Sequence, residues 1–165
     1  MKKKILNLIS KIKNKNITIG IVGLGYVGLP LALRFSEVGF NVVGYDKDDK
    51  KIIKLKKHKS YIKSISDQEL IKKNFIPTSN LKILSKSDAI IICLPTPLKK
   101  NSKVPDMIYI KNFASSIKSF LRENHIIILE STTYPGTTRE FFLPVLILFI
   151  LEFNNSLAGF VNGYL

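Results

Sequence analysis

Ile17-Thr18-Ile19-Gly20-Ile21-Val22-Gly23-Leu24-Gly25-Tyr26-Val27-Gly28-Leu29-Pro30 is the stretch that decides the fold. Its first half is apolar and β-branched, as a buried strand requires. Its second half places Gly23, Gly25 and Gly28 at the spacing G-x-G-x-x-G. In a strand–turn–helix unit the first glycine allows the tight turn. The second lets the backbone approach a pyrophosphate, and the third lets helix and strand pack closely. Leu29 to Val38 then reads as a helix, with Pro30 in its first turn, where a missing N–H costs little. The N–H groups and positive dipole end of that helix would face phosphates. An ordinary βαβ unit can carry the same spacing, so the motif needs support from further along the chain.

Asp46 supplies it. Asn41-Val42-Val43-Gly44-Tyr45 reads as a second strand, entered through the turn Gly39-Phe40, and it ends at Asp46, eighteen positions after Gly28. An acid there is placed to accept hydrogen bonds from a ribose diol. It would repel a ribose 2′-phosphate, so NAD is favoured over NADP.

The 165 residues suit one domain and, at 45% hydrophobic, are not a disordered chain. The formal charge of +14 comes from lysines spread over 2–4, 11–15, 47–59 and 99–103. No aromatic-and-basic nucleic-acid motif accompanies them, so specific nucleic-acid binding is not expected. The excess charge favours anionic ligands such as nucleotides. Cys93 is the only cysteine, which excludes an intrachain disulfide. It falls in the apolar run Ala89-Ile90-Ile91-Ile92-Cys93-Leu94 and reads as a small buried thiol, not a nucleophile. No metal site is expected. Residues 1–16 are basic, with Ile5, Leu6, Ile9 and Ile12 at helical spacing. They make a poor signal peptide and read as a short amphipathic helix lying on the domain. A membrane-surface helix is the lesser alternative.

After Asp46 a lysine-rich helix is expected over about Lys50 to His58. Ser66-Asp67-Gln68-Glu69 opens a short helix with a capping pattern. Phe75-Ile76 reads as a third strand, Asn80 to Ser85 as a brief ambiguous element, and Ala89 to Leu94 as a fourth strand. Pro95-Thr96-Pro97 ends that strand sharply. Asp106 is placed to cap a helix over Met107 to Leu121. Ile126-Ile127-Ile128-Leu129 is the fifth strand, followed by Glu130-Ser131-Thr132-Thr133, and a last helix begins near Thr137. Strands alternating with helices predict an α/β fold of Rossmann type, a doubly wound parallel sheet of order 3-2-1-4-5. The loops after the strands then converge on one edge: Gly23 to Gly28, Asp46, Leu94 to Pro97 and Glu130 to Thr133.

Taken together, VGLGYVGLPLALRF, GYDKDDKKI, SYIKSISDQEL, DAIIICLPTPL, PDMIYI and LESTTYPGTTRE resemble the NAD-binding domain of the UDP-glucose/GDP-mannose dehydrogenase family. The resemblance covers about Lys15 to Leu143 and leans toward family members acting on UDP-N-acetylglucosamine. It implies oxidation of the C6 alcohol of a UDP-sugar to the carboxylate with two NAD, by way of a cysteine-bound intermediate. Cytoplasmic synthesis of uronic sugars for surface polysaccharide, by homo-oligomeric full-length enzymes, is implied as well. On that resemblance Gly23, Gly25, Tyr26, Val27 and Gly28 match the pyrophosphate loop. Asp46 matches the ribose acid and Lys51 a base near the adenosine end. Thr96 and Ser131 line the cofactor, and Thr132 both lines it and helps position a water at the reaction centre.

The family's nucleophilic cysteine has no counterpart in this sequence, and Cys93 does not align with it. From about Val145 the sequence FFLPVLILFILEFNNSLAGFVNGYL departs from the family pattern. The sheet is therefore expected to be incomplete at its C-terminal end. The expected organisation is a basic helix over 1–16, a dinucleotide-binding domain over 17–143, and a divergent apolar tail over 144–165. A truncation, a frameshift and a real element all remain open for that tail. The run of eleven residues from Phe141 to Leu151, which leads into that tail, is too short to span a bilayer. An inactive fragment that still holds NAD is the alternative to the enzyme reading.

Overall fold

The computed structural model describes residues 2–71, 74–99, 102, 104–122, 125–144 and 146. Five parallel strands form its sheet: β1 (Thr18–Val22), β2 (Asn41–Tyr45), β3 (Phe75–Thr78), β4 (Ala89–Ile92) and β5 (Ile126–Leu129). Their order, β3-β2-β1-β4-β5, is the predicted one. The register aligns the strand ends: Val22 stands beside Tyr45 and Ile92, and Ile92 beside Leu129. The loops after these strands therefore leave from a common edge.

Position in the sheet explains the composition of the strands. All four residues of β4 are buried, as are Ile19, Gly20, Ile21 and Val22 of β1. An interior parallel strand is covered on both faces, so it reads as a continuous apolar run. The edges are mixed. β3 carries Pro77, which cannot donate to a ladder and is tolerated only because β3 has one neighbour. β5, at the other edge, leaves Ile128 exposed.

The chain divides into two units. The first runs from the N-terminus to Leu94 and includes 122–130, and it holds the whole sheet with α1 (Lys2–Lys13), α2 (Gly28–Glu37) and α3 (Asp49–Lys56). Its core joins Ile19, Ile21, Leu24, Leu29, Leu33, Val42, Ile52, Leu55 and Ile91. Each large aliphatic chain buried there contributes about 1.5–3 kcal/mol. The second unit takes 95–121 and the residues from Ser131 onward, with α4 (Ile108–Ile117) and a π-helical turn over Thr138–Phe142. Asp106 caps α4 as expected, its Oδ1 accepting from the Ile108 N–H at 3.0 Å. Met107 is the N-cap residue, and the last turn tightens to a 3₁₀ segment over Lys118–Phe120.

Several expectations are corrected. The N-terminal helix forms, but Leu6, Ile9 and Ile12 are exposed, at 63%, 42% and 37%, so these three side chains are not buried against the described domain as expected. Periodicity specifies a helix without specifying what covers it. The ambiguous element is a 3₁₀ segment over Leu81–Lys86, capped by Asn80. β4 ends at Ile92, so Cys93 lies just past the strand and is half-buried, not sealed inside it. Beyond Leu146, the expected divergent tail lies outside the described residues. Among the described residues no helix is long and apolar enough to cross a membrane.

Candidate functional site: the glycine loop and Asp46

The site begins where β1 ends. Gly23 takes φ +88°, a left-handed conformation open to glycine, and a Cβ there would stand 2.7 Å from the Cys93 carbonyl oxygen. The Gly23 N–H donates to the Tyr45 carbonyl at 2.8 Å, tying the turn to β2. Gly28 opens α2 so close to this turn that a Cβ would lie 1.8 Å from the Gly23 oxygen. The backbone would have to separate to admit any side chain. Gly25 behaves differently, because a Cβ there meets nothing within 4 Å among the described residues. No described neighbour demands glycine at 25.

Beside Gly25, Tyr26 is 79% exposed and Val27 56% exposed, although both are bulky and largely apolar. Val27 is the N-cap residue of α2, and no side chain caps the helix there. The first turn also holds no acid. The positive end of the helix dipole is thus left uncompensated from within, as anion binding requires.

Asp46 follows β2 directly and is 7% exposed. Its Oδ2 accepts from the Leu24 N–H at 2.9 Å and from Lys51 Nζ at 3.1 Å, and its Oδ1 accepts from the Asp48 N–H at 3.0 Å. The Leu24 bond joins the acid to the glycine loop. Lys51 reaches it from α3, which starts because Asp48 caps the Lys50 N–H at 2.9 Å. Nothing in the sequence points to Leu24, whose side chain is wholly buried while its backbone holds Asp46. No residue type signals a backbone contact of that kind. The same holds for Tyr61, whose hydroxyl donates to the Leu24 carbonyl at 2.5 Å.

Cys93 donates its N–H to the Val22 carbonyl at 2.8 Å. Burial, and then the charge of Glu130, push its thiol up to about 11. It is therefore protonated at neutral pH and poorly suited to nucleophilic attack. In the second unit, the Thr96 hydroxyl donates to the Thr132 carbonyl. Thr132 is exposed, Thr96 and Ser131 are half-buried, and Ser131 has a partner of its own. The structure thus brings Gly23, Gly25, Gly28, Asp46 and Lys51 together in the first unit, and Thr96 with Thr132 in the second. Among the described residues no group of three or more His, Cys, Asp or Glu is arranged to hold a metal.

A parallel β3-β2-β1-β4-β5 sheet, with a G-x-G-x-x-G turn after its first strand and a buried acid after its second, defines a Rossmann-type dinucleotide-binding domain. The "UDP-glucose/GDP-mannose dehydrogenase family, NAD binding domain" matches residues 17–148. The chain belongs to that family, and the cofactor of this domain is NAD. It is 37% identical over 131 residues to Protein CapL of Staphylococcus aureus, covering 79% of this chain and 30% of that protein. It is 37% identical over 152 residues to the UDP-N-acetyl-D-glucosamine 6-dehydrogenase of Pseudomonas aeruginosa, covering 91% of this chain and 35% of that one. Among solved structures it resembles a GDP-mannose dehydrogenase ternary complex from Pseudomonas aeruginosa, with TM-score 0.73 and 31% identity over 79% of this chain and 32% of that one. The chain thus spans about a third of the length of these relatives.

Proposed function

We propose that this chain is the cofactor-binding part of a nucleotide-sugar 6-dehydrogenase. The enzyme would oxidise the C6 alcohol of a UDP-sugar, UDP-N-acetylglucosamine first among them, to the carboxylate with two NAD. Its product would be a uronic sugar for surface polysaccharide, made in the cytoplasm by a homo-oligomeric enzyme. The observation that carries this reading is Asp46, buried and bonded to the glycine loop through Leu24 beside the open position at Gly25. The similarity to the Pseudomonas aeruginosa UDP-N-acetyl-D-glucosamine 6-dehydrogenase favours the sugar.

In this reading Gly23 and Gly28 hold the turn, and Gly25 gives the pyrophosphate its approach. Backbone N–H groups from Tyr26 to Gly28 meet the phosphates. Asp46 takes the ribose hydroxyls. An ionised carboxylate only accepts, so it suits a diol and cannot pair with the oxygens of a 2′-phosphate. Lys51 orients that carboxylate. The family resemblance makes Thr96 and Ser131 cofactor-lining residues, and Thr132 a cofactor-lining residue that also positions a water. The domain itself spans 17–143, with 1–16 and 144–165 as appendages.

The same observations favour a second reading for the chain by itself, in which it binds NAD and transfers no hydride. Its one thiol is held protonated at the end of β4. A covalent step on the aldehyde needs a thiolate, and the C6 carbon must also be held against the nicotinamide. One experiment addresses both readings. The purified chain is titrated with NAD and NADP by calorimetry, then incubated with NAD and UDP-N-acetylglucosamine while absorbance of NADH is followed. Tighter binding of NAD and no NADH formation are expected. Equal or tighter NADP binding overturns the role of Asp46, and sugar-dependent NADH formation overturns the inactive reading.

A further inference from the structure

Apart from the bond of Tyr61 to Leu24, the stretch Ser60 to Leu70 has no part in the site described so far, yet it is pinned in place at many points. Asp67 accepts from the Ser60 N–H at 2.8 Å and from Lys59 Nζ at 2.7 Å. Ser66 and Glu69 form a reciprocal cap, with Ser66 N–H donating to Glu69 Oε2 at 2.8 Å and Glu69 N–H returning to Ser66 Oγ at 3.4 Å. Ile62, Ile65 and Leu70 are buried in the core of the first unit. A surface connection seldom needs this much support. The residue it holds still is Tyr61, which packs against the same core.

Tyr61 meets the site twice. Its hydroxyl donates to the carbonyl of Leu24 at 2.5 Å, between the first two glycines of the loop. The N–H of that same Leu24 donates to Asp46 Oδ2. Lys51 Nζ lies 5.8 Å from the centre of the Tyr61 ring while it donates to the same Oδ2. That distance is within reach of a cation–π attraction. One side chain therefore restrains the loop that faces the pyrophosphate and the base that orients the ribose acid.

With NAD as the ligand of this site, we propose that Tyr61 is a positioning residue for the dinucleotide. Its hydroxyl locks the glycine loop at Leu24, and its ring seats Lys51 against Asp46. Burial, and then the charges of Asp46 and Asp48, push the hydroxyl upward from its ordinary value. It therefore remains a donor across the neutral range, and the lock does not open with pH. The loop contains glycines, whose backbone freedom is costly to remove at the moment of binding. A loop already held in its bound form avoids that loss. Tyr61 touches no reacting atom, so its effect falls on cofactor affinity.

The test compares the wild-type chain with Tyr61→Phe, which keeps the ring and removes the lock. Both are titrated with NAD by calorimetry, and amide hydrogen exchange is followed in both without ligand. The Phe variant is expected to bind NAD about three- to tenfold more weakly, the worth of one net hydrogen bond. Its exchange should quicken at Leu24 to Val27, while Ile19 to Val22 and Val42 to Tyr45 keep wild-type protection. Unchanged NAD affinity overturns the proposal. Weaker binding with protection lost throughout the sheet also overturns it, because Tyr61 would then be a packing residue only. Tyr61→Leu, which removes the ring as well, should bind NAD more weakly than Tyr61→Phe. Equal affinity of the two variants overturns the seat for Lys51. Failure of the wild-type chain to bind NAD is read from its own titration and overturns the cofactor assignment.

Discussion

Two aspartate–base pairs stand at opposite edges of one sheet. At the carboxyl edge Asp46 meets Lys51 at 3.1 Å. At the amino edge Asp88 meets Arg122 at 3.6 Å. Their surroundings differ. Asp88 Oδ2 accepts from the Thr18 N–H at 2.9 Å where β1 begins. Arg122 donates to the Ser85 and Ser87 carbonyls at 3.0 and 2.9 Å. Those bonds satisfy backbone groups leading into β1 and β4, and the groups involved are spent on the fold. Asp46 is bonded instead to a loop with an uncapped helix start and open space at Gly25. The same chemistry is structural at one edge and, in the function proposed above, ligand-directed at the other, and what separates the two is whether the neighbouring backbone is already occupied.

The sharpest way to break this contrast is Gly25→Val. Among the described residues nothing lies within 4 Å of the new Cβ, so circular dichroism and thermal midpoint should stay near wild type. NAD affinity should fall by about a hundredfold or more, as the phosphates lose their approach to the backbone. Unchanged affinity would mean that the loop holds no dinucleotide.

A smaller effect comes from exchanging the two acids one at a time. Asp46→Asn should weaken NAD about tenfold and narrow its preference over NADP, because a charged acceptor of hydroxyl hydrogen bonds is lost. Asp88→Asn should leave NAD affinity unchanged and cost about 1 kcal/mol of stability, the pair with Arg122 being partly solvent-screened. Calorimetry and chemical denaturation on both variants check this. If Asp88→Asn weakens NAD as much as Asp46→Asn, the division between the edges fails.

The smallest expected effect is a pH dependence at the amino edge. His125 lies with Nδ1 3.1 Å from the Arg122 N–H and Nε2 3.0 Å from Arg122 Nε. Burial, and then the Arg122 charge, lower its ionisation from the ordinary 6.5. The unfolded chain therefore binds the proton more readily than the folded one. His125's contribution is fully present above the ordinary value and is lost as pH falls below it, through the lowered folded value. The thermal midpoint should drop between pH 7.5 and 5.5, and His125→Gln should flatten that drop. Equal slopes for the two proteins would remove His125 from the amino-edge network.

Local patterns carried much of this protein. The strands, the glycine loop and Asp46 were legible because each is written in a short run: apolar β-branched residues, a fixed glycine spacing, an acid after a strand. The strand order then followed from the alternation of strands and helices with right-handed crossovers. Cap signals such as Asp106, and Ser66 with Glu69, were legible for the same reason, since donor and acceptor lie within three residues of each other. The tertiary structure alone decided contacts whose partners are distant in sequence. Tyr61 reaches Leu24 across 37 residues, Thr96 reaches Thr132 across 36, and Arg122 reaches Ser85 across 37. In each of these pairs one partner is a backbone carbonyl, which every residue has and no side chain advertises. Burial was underdetermined in the same way. The spacing of Leu6, Ile9 and Ile12 specifies a helix face, and the hydropathy around Cys93 specifies an apolar run. Only the packed chain shows that these three side chains stay exposed and that the strand ends one residue before the thiol.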